Sequence, residues 1–143
     1  MSIHQISVFL ENRTGQLAEI VNALAENKID LRAISIAETS DYGIVRIIAD
    51  DVHAATNILL DAGHILSVTP VQVVSVPDQP GGLAPVLAAL AEGEVAIEYM
   101  YSLFTHEGGR AYMVFRVSDE ANFVSLMEFH GIQVATAETL GIR

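Results

Sequence analysis

Apolar residues recur along this chain at two alternating spacings. Ile6, Val8 and Leu10 occupy every second position, the period of a strand with one buried face, and predict a strand over Ile3 to Leu10. Past Gly15 the spacing changes. Leu17, Ile20, Val21 and Leu24 fall at i, i+3, i+4 and i+7, one apolar stripe of a helix that must cover a sheet, with Asn27 as its stop. Leu31 to Glu38 then reads as a second strand. Thr39-Ser40-Asp41-Tyr42-Gly43 has the residues of a hairpin connection, so Ile44 to Ala49 should pair antiparallel with it. Asp50-Asp51 offers an N-cap for a helix carrying Ala54, Ala55, Ile58, Leu59 and Ala62, which Gly63 ends. His64 to Thr69 is the expected fourth strand. Pro70 is expected to interrupt it before Val71 to Val76 begins the next, because proline donates nothing to a ladder.

The second half repeats this order at an offset of 66 residues: Gly15, Leu17, Ala18, Ala23, Leu24, Ala25 and Glu26 return as Gly81, Leu83, Ala84, Ala89, Leu90, Ala91 and Glu92. Leu83, Val86, Leu87 and Leu90 reproduce the helical stripe. Ile97 to Phe104 and Arg110 to Val117 form a hairpin around His106-Glu107-Gly108-Gly109, after which the offset becomes 68, matching Asp51 to Asp119 and Gly63 to Gly131. The last helix carries Phe123, Leu126 and Met127, and Gln133 to Thr136 is the expected closing strand. A repeat of this length means duplicated domains, 1–69 and 70–143. The fold class is α+β, two ferredoxin-like βαββαβ units with antiparallel sheets and helices on one face.

That arrangement leaves the other sheet face bare. In the second unit Tyr99, Tyr101 and Leu103 alternate with Met100 and Phe104, and Tyr112 to Val117 is apolar at nearly every position, so both faces want cover. The first unit shows more polar positions, Gln5, Ser7, Arg32 and Ser35. Units of about 70 residues bury little surface alone. A homodimer, or a fold-back of the two units, is the expectation.

The candidate chemistry lies at the two turns that enter the helices, Asn12-Arg13-Thr14-Gly15-Gln16-Leu17 and Asp78-Gln79-Pro80-Gly81-Gly82-Leu83. A helix start leaves amide N–H groups without internal partners and carries partial positive charge, so a carboxylate fits there. Glycine lets the backbone approach a ligand and take positive φ. The plainer reading is that Asn12 and Asp78 only cap turns and the glycines serve loop geometry.

On these motifs, and on Asn27-Lys28-Ile29-Asp30-Leu31 leading into the second strand, the chain resembles a tandem pair of ACT domains over almost its whole length. The resemblance implies a regulatory module, not an enzyme, with a free amino acid at the seam between two units. It would be held by the first turn of one and the second strand of its neighbour. The amides of Gly15, Gln16 and Leu17, or of Gly81, Gly82 and Leu83, would take the α-carboxylate. Asn12 or Asp78 would accept from the α-ammonium, and strand carbonyls around Ile36 and Ala37, or Met100 and Tyr101, would complete its shell. A metabolic enzyme is the implied partner. Position 14 is Thr where the motif commonly has Pro, so the first turn is less rigid than the second, which keeps Pro80.

Composition narrows the alternatives. The formal charge of -11, from 18 acidic against 7 basic residues, argues against nucleic acid and anionic membranes as partners. Absence of cysteine removes disulfides, thiolate catalysis and Cys-ligated zinc. The start Met1-Ser2-Ile3-His4 lacks a basic segment followed by an apolar signal region, and a soluble, cytoplasmic chain is expected. His4, His53, His64, His106 and His130 show no H-E-x-x-H or H-x-x-x-H spacing, so no metal site is read, and no cofactor. No catalytic residue is assigned, since nucleophile-elbow and phosphate-loop motifs are both missing. Two alternatives stay open: a glyoxalase-like paired βαβββ metalloenzyme, which would lack the second helix of each repeat, and an assembly module with no ligand.

Overall fold

The structure, a computed structural model, describes residues 2–11, 13–38 and 42–143. The expected hairpin connection at Thr39 to Asp41 and the candidate Asn12 lie outside the described residues. The chain divides into two compact units. One is His4–Thr69 completed by Gly141–Arg143, and the other is Pro70–Leu140 completed by the amino-terminal residues through Ile3.

The first unit contains β1 (Ile3–Glu11), α1 (Gln16–Glu26), β2 (Leu31–Glu38), β3 (Tyr42–Ala49), α2 (Val52–Asp61) and the start of β4 (Leu66–Pro77). Its strand order is β2-β3-β1-β4. β1 and β2 both pair antiparallel with β3, through Ile6↔Ile47 and Val8↔Val45 on one side and Ile36↔Val45 on the other. That register aligns the alternating residues, so Ile6, Val8, Val45 and Ile47 are buried against Ile20 and Leu24 of α1 and Ala55 and Leu59 of α2. Asp51 caps α2 by accepting from the Ala54 amide at 3.1 Å, a contact of the kind that contributes about 1 kcal/mol. The last residues return to this unit: the Arg143 N–H donates to the Asp50 carbonyl at 2.7 Å and the Val52 N–H to the Arg143 carbonyl at 3.1 Å.

The second unit contains the rest of β4, then α3 (Ala84–Glu92), β5 (Ile97–Glu107), β6 (Arg110–Val117), α4 (Glu120–Phe129) and the short α5 (Ala137–Leu140). Its strands run β4-β6-β5. Val74, Val76, Phe115 and Val117 pack against Val86 and Leu90 of α3 and Phe123 and Met127 of α4. Asp119 caps α4 on the Asn122 amide at 3.0 Å, as Asp51 caps α2. The duplication extends to backbone conformation. Lys28 and Glu94, 66 residues apart, both take positive φ, at 58° and 57°, just past α1 and α3.

Three expectations are corrected. β4 is one strand through Pro70, not two. Pro70 stands two residues before the β6 ladder begins at Gln72, so its missing N–H removes none of those bonds, and its carbonyl accepts from Arg116 Nη1 at 3.1 Å. The closing strand at Gln133 to Thr136 shrinks to a single antiparallel bridge, Val74↔Val134, flanked by bonds from the Ser75 N–H to the Gln133 carbonyl and from the Ala135 N–H to the Val73 carbonyl. Thr136 then exchanges side-chain and backbone bonds with Thr139, a capping box that starts α5 and turns the chain away. Finally, β5 runs on through His106 and Glu107, leaving only Gly108 and Gly109 in the turn, both at positive φ as a tight hairpin requires.

Along β5 Tyr99, Met100 and Tyr101 are half-buried and Leu103 is buried, while Phe104 is 55% exposed, and of these Met100 packs against the helix-covered core. In the first unit Gln5 is buried and donates to Ser7 Oγ at 3.0 Å.

Candidate functional site

Both helix entrances turn on a glycine at positive φ, Gly15 at 88° and Gly81 at 78°. At the first entrance the Arg13 N–H donates to the Glu11 carbonyl at 2.7 Å, and the Glu19 N–H to the Gly15 carbonyl at 3.0 Å. The Gln16 amide leans on the Arg13 carbonyl at 3.4 Å. The amides of Gly15 and Leu17 meet no acceptor among the described residues. At the second entrance the Gly82 amide is taken by the Gln79 carbonyl at 3.0 Å, while Gly81 and Leu83 again keep theirs. Of the three amides expected at each turn, the middle one is therefore spent on the turn itself. The same alternate pair remains in both repeats.

The two turns are built differently. Gln16 is 7% exposed, and its side-chain Oε1 accepts from the Glu11 N–H at 2.8 Å. The corresponding residues of the second turn are Gly82 and Pro77. Proline has no N–H to satisfy, and a β-carbon at Gly82 would overlap the Pro77 carbonyl oxygen. Loss of the donor and loss of the acceptor side chain thus occur together.

The side chains named at the first turn are largely committed or exposed. Thr14 is exposed, and Arg13 forms a two-pronged ion pair with Glu19 at 3.0 and 3.1 Å. The Arg13 hydrogen bond and charge hold the Glu19 carboxyl below its ordinary range, and Glu19 raises Arg13 in return. At the second turn Gln79 and Pro80 are exposed. The Asp78 N–H donates to the Gly109 carbonyl at 2.7 Å, tying the loop to the β5–β6 turn, and the Asp78 carboxylate lies 3.6 Å from His106 Nδ1.

Ile36 and Ala37 lie exposed on β2, and Met100 and Tyr101 lie half-buried on β5. Within the first unit β3 stands between β1 and β2, so the turn after β1 is about two strand spacings, roughly 9.5 Å, from the Ile36 and Ala37 backbone. One unit alone does not bring its own turn and second strand into a single pocket. In the second unit β6 likewise separates β4 from β5.

A cavity of about 380 Å³ opens beside the second turn, walled by Gly82, Pro85, Val86, Ile132 and Gln133, with Ser75 and Arg110 on its polar side. Arg110 Nε donates to Ser75 Oγ and Nη2 to the Ser75 carbonyl, both at 2.9 Å. Sequence reasoning passed over this pair. The partners lie 35 positions apart, and nothing local marks either one.

Among the described residues no cluster of three or more His, Asp or Glu is placed to hold a metal. α2 and α4, the helices that a paired βαβββ fold would lack, are both present. No helix among the described residues is long and apolar enough to cross a membrane.

The duplicated units, glycine entrances and strand orders define a tandem βαββαβ architecture, and comparison with known proteins names it. Residues 1–136 match the ACT domain pair family, and the chain belongs to that family. A protein of solved structure from Bacteroides thetaiotaomicron is 37% identical, with a TM-score of 0.91, over 99% of this chain and 96% of that one. The regulatory subunit of aspartate kinase from Thermus thermophilus, in its ligand-free form, shares the fold at 19% identity and a TM-score of 0.65, over 91% and 93% of the two chains. The corresponding subunit from Thermus flavus does so at 19% identity and 0.61, over 92% and 94%. No curated protein matches the chain.

Proposed function

We propose that this chain is a regulatory, non-catalytic protein that binds a free amino acid where two ACT units meet. In this reading the modules 1–69 and 70–143 each supply one glycine entrance. The α-carboxylate is taken by the alternate amides of Gly15 and Leu17, or of Gly81 and Leu83. Asp78, or Asn12, accepts from the α-ammonium, and the carbonyls of Ile36 and Ala37, or of Met100 and Tyr101, come from the second strand of a neighbouring unit. A homodimer in the cytoplasm, acting on a metabolic enzyme, completes the reading.

The observation that carries it is the recurrence of the same two unengaged amides, 66 residues apart, each behind a glycine at positive φ. A helix start leaves amides open in any case, so what supports the reading is that both repeats leave the same pair at a glycine turn where a carboxylate fits. Membership of the ACT domain pair family supports the regulatory role, and the Thermus proteins of like fold are themselves described as regulatory subunits. Magnitudes favour a sensor. A carboxylate at a helix entrance gains about 0.3 to 1 kcal/mol when exposed and up to roughly 2 when partly buried. Together with charge-assisted bonds to the ammonium this suits micromolar to millimolar affinity, about 4 to 8 kcal/mol.

The test is a thermal-shift screen of the twenty amino acids on the intact chain. A ligand at about 100 times its Kd stabilises the native state by about 2.7 kcal/mol. A responding amino acid should lose most of its effect in the Asp78→Ala or the Asn12→Ala variant. Silence from all twenty at millimolar concentration would favour the assembly module instead.

A further inference from the structure

We propose that the cavity beside Arg110 in the second unit is a binding site for a small aliphatic carboxylate, with the Arg110 guanidinium as its anchor. The cavity borders the second glycine entrance at Gly82, but its anchor is the Arg110 guanidinium and not the open amides of Gly81 and Leu83.

The first observation is a missing counter-ion. Acidic residues outnumber basic ones by 18 to 7, and most arginines here find a carboxylate: Arg13 at 3.0 Å, Arg32 at 3.1 Å, Arg116 at 3.3 Å and Arg143 at 3.9 Å. Arg110 has none within 4.0 Å among the described residues, although it is half-buried. Its two bonds both go to Ser75, a neutral partner. Of the five N–H donors of a guanidinium, the remainder have no acceptor among the described residues.

The second observation is rigidity. Ser75 is buried, and its hydroxyl and carbonyl grip Arg110 from two directions, so the guanidinium plane is held before any ligand arrives. An oriented fork of this kind matches a carboxylate, whose two oxygens accept parallel N–H bonds. The third is the cavity. Its volume of about 380 Å³ is within the usual range for small-molecule sites, roughly 300 to 1,000 Å³. Pro85, Val86 and Ile132 make an apolar wall for an aliphatic body, while Arg110, Ser75 and Gln133 supply the polar side.

The duplication supplies a control within the same chain. By register, Arg110 sits opposite Pro77 as Tyr42 sits opposite Glu11, and Ser75 corresponds to Phe9. In the first unit those two positions hold a stacked aromatic pair, Phe9 and Tyr42, with ring centroids 5.3 Å apart. The serine–guanidinium clamp belongs to the second unit only, so one carboxylate site per chain is expected.

The experiment is an NMR titration of the isotopically labelled, intact chain with sodium isobutyrate up to about 50 mM, a millimolar-affinity range. Sodium chloride and isobutylammonium chloride serve as ionic-strength and charge controls. Saturable shifts at the Arg110 Nε–H and at the Ser75 and Gly82 amides are expected, with none beside Phe9 and Tyr42. In Arg110→Gln the affinity should fall at least ten-fold. Ser75→Ala keeps the charge but loosens the clamp, and should weaken binding several-fold should the first variant fold poorly. An absent or linear response, shifts centred elsewhere, or unchanged affinity in both variants would overturn the proposal. Gly82 borders both sites, so the variants and not the ligands separate the two readings: isobutyrate binding lost in Arg110→Gln with no amino acid response sinks only the entrance-site reading, and an amino acid response that survives Arg110→Gln, with isobutyrate binding unchanged in both variants, sinks only this one.

Discussion

Replacing Gln16 by Ala would remove the acceptor of the Glu11 N–H while leaving the glycine turn in place. The side chain is nearly buried and its Oε1 holds that N–H at 2.8 Å, so truncation leaves a part-buried backbone donor without its acceptor. An unsatisfied, partly buried donor costs about 1 to 3 kcal/mol. Two terms oppose it. Release of the glutamine rotamers returns up to roughly 1.5 to 2 kcal/mol, and the better helix propensity of Ala adds a few tenths. Where the rotamer release is only partial, the net expectation is a loss of up to about 1 kcal/mol, or at most roughly 2 to 4 °C in melting temperature for a chain of this size. The second unit already carries the compensated version, Pro77 with Gly82. Glu11→Pro deletes the donor, so Gln16→Ala in that background should cost nothing measurable. Urea unfolding of the four proteins, read as a double-mutant cycle, should give a coupling of up to about 1 kcal/mol. If Gln16→Ala costs the same with and without the Glu11 N–H, the hydrogen bond is not what holds the first turn, and the reasoning fails.

The remaining predictions are briefer. Lys28→Gly and Glu94→Gly should each leave stability equal or raise it by up to about 1 kcal/mol, because relief of a left-handed backbone, worth roughly 1 to 2 kcal/mol, exceeds glycine's entropic cost of about 0.5 to 1. A lower melting temperature in both would show that the side chains matter more than the backbone. The Glu19 carboxyl is lowered from 4.5 by Arg13, so its contribution is complete above that value and is lost as pH falls through the lower, folded-state titration. Glu19→Gln should therefore narrow the fall in stability on acidification, and high salt should do the same, because the pair is exposed. An unchanged pH profile in the variant would remove Glu19 from the acid transition.

Much of the architecture was legible because burial leaves a local trace. A residue's side of a strand or helix is decided every two or 3.6 positions, so Ile6 with Val8, and Ile20 with Leu24, announce their faces without knowledge of any partner. The caps at Asp51 and Asp119 were legible for the same reason, since donor and acceptor lie three residues apart. Pro70 misled because its cost depends on whether a neighbouring strand asks for its N–H, and the β6 ladder starts only at Gln72. Gln133 to Thr136 misled because period-two alternation does not say how long a strand finds a partner, and Thr136 turns the chain after one bridge.

Sequence alone therefore determined the duplication, the order of elements, the glycine entrances and the family they belong to. Each of these is written in residue type at short range. Tertiary structure decided which donors stay open, how Gln16 and Gly82 solve the same turn differently, and that Arg110 meets Ser75 rather than an acid. Hydrogen bonds between residues 35 positions apart depend on strand register and on the path of intervening backbone, and neither leaves a periodic mark in the chain.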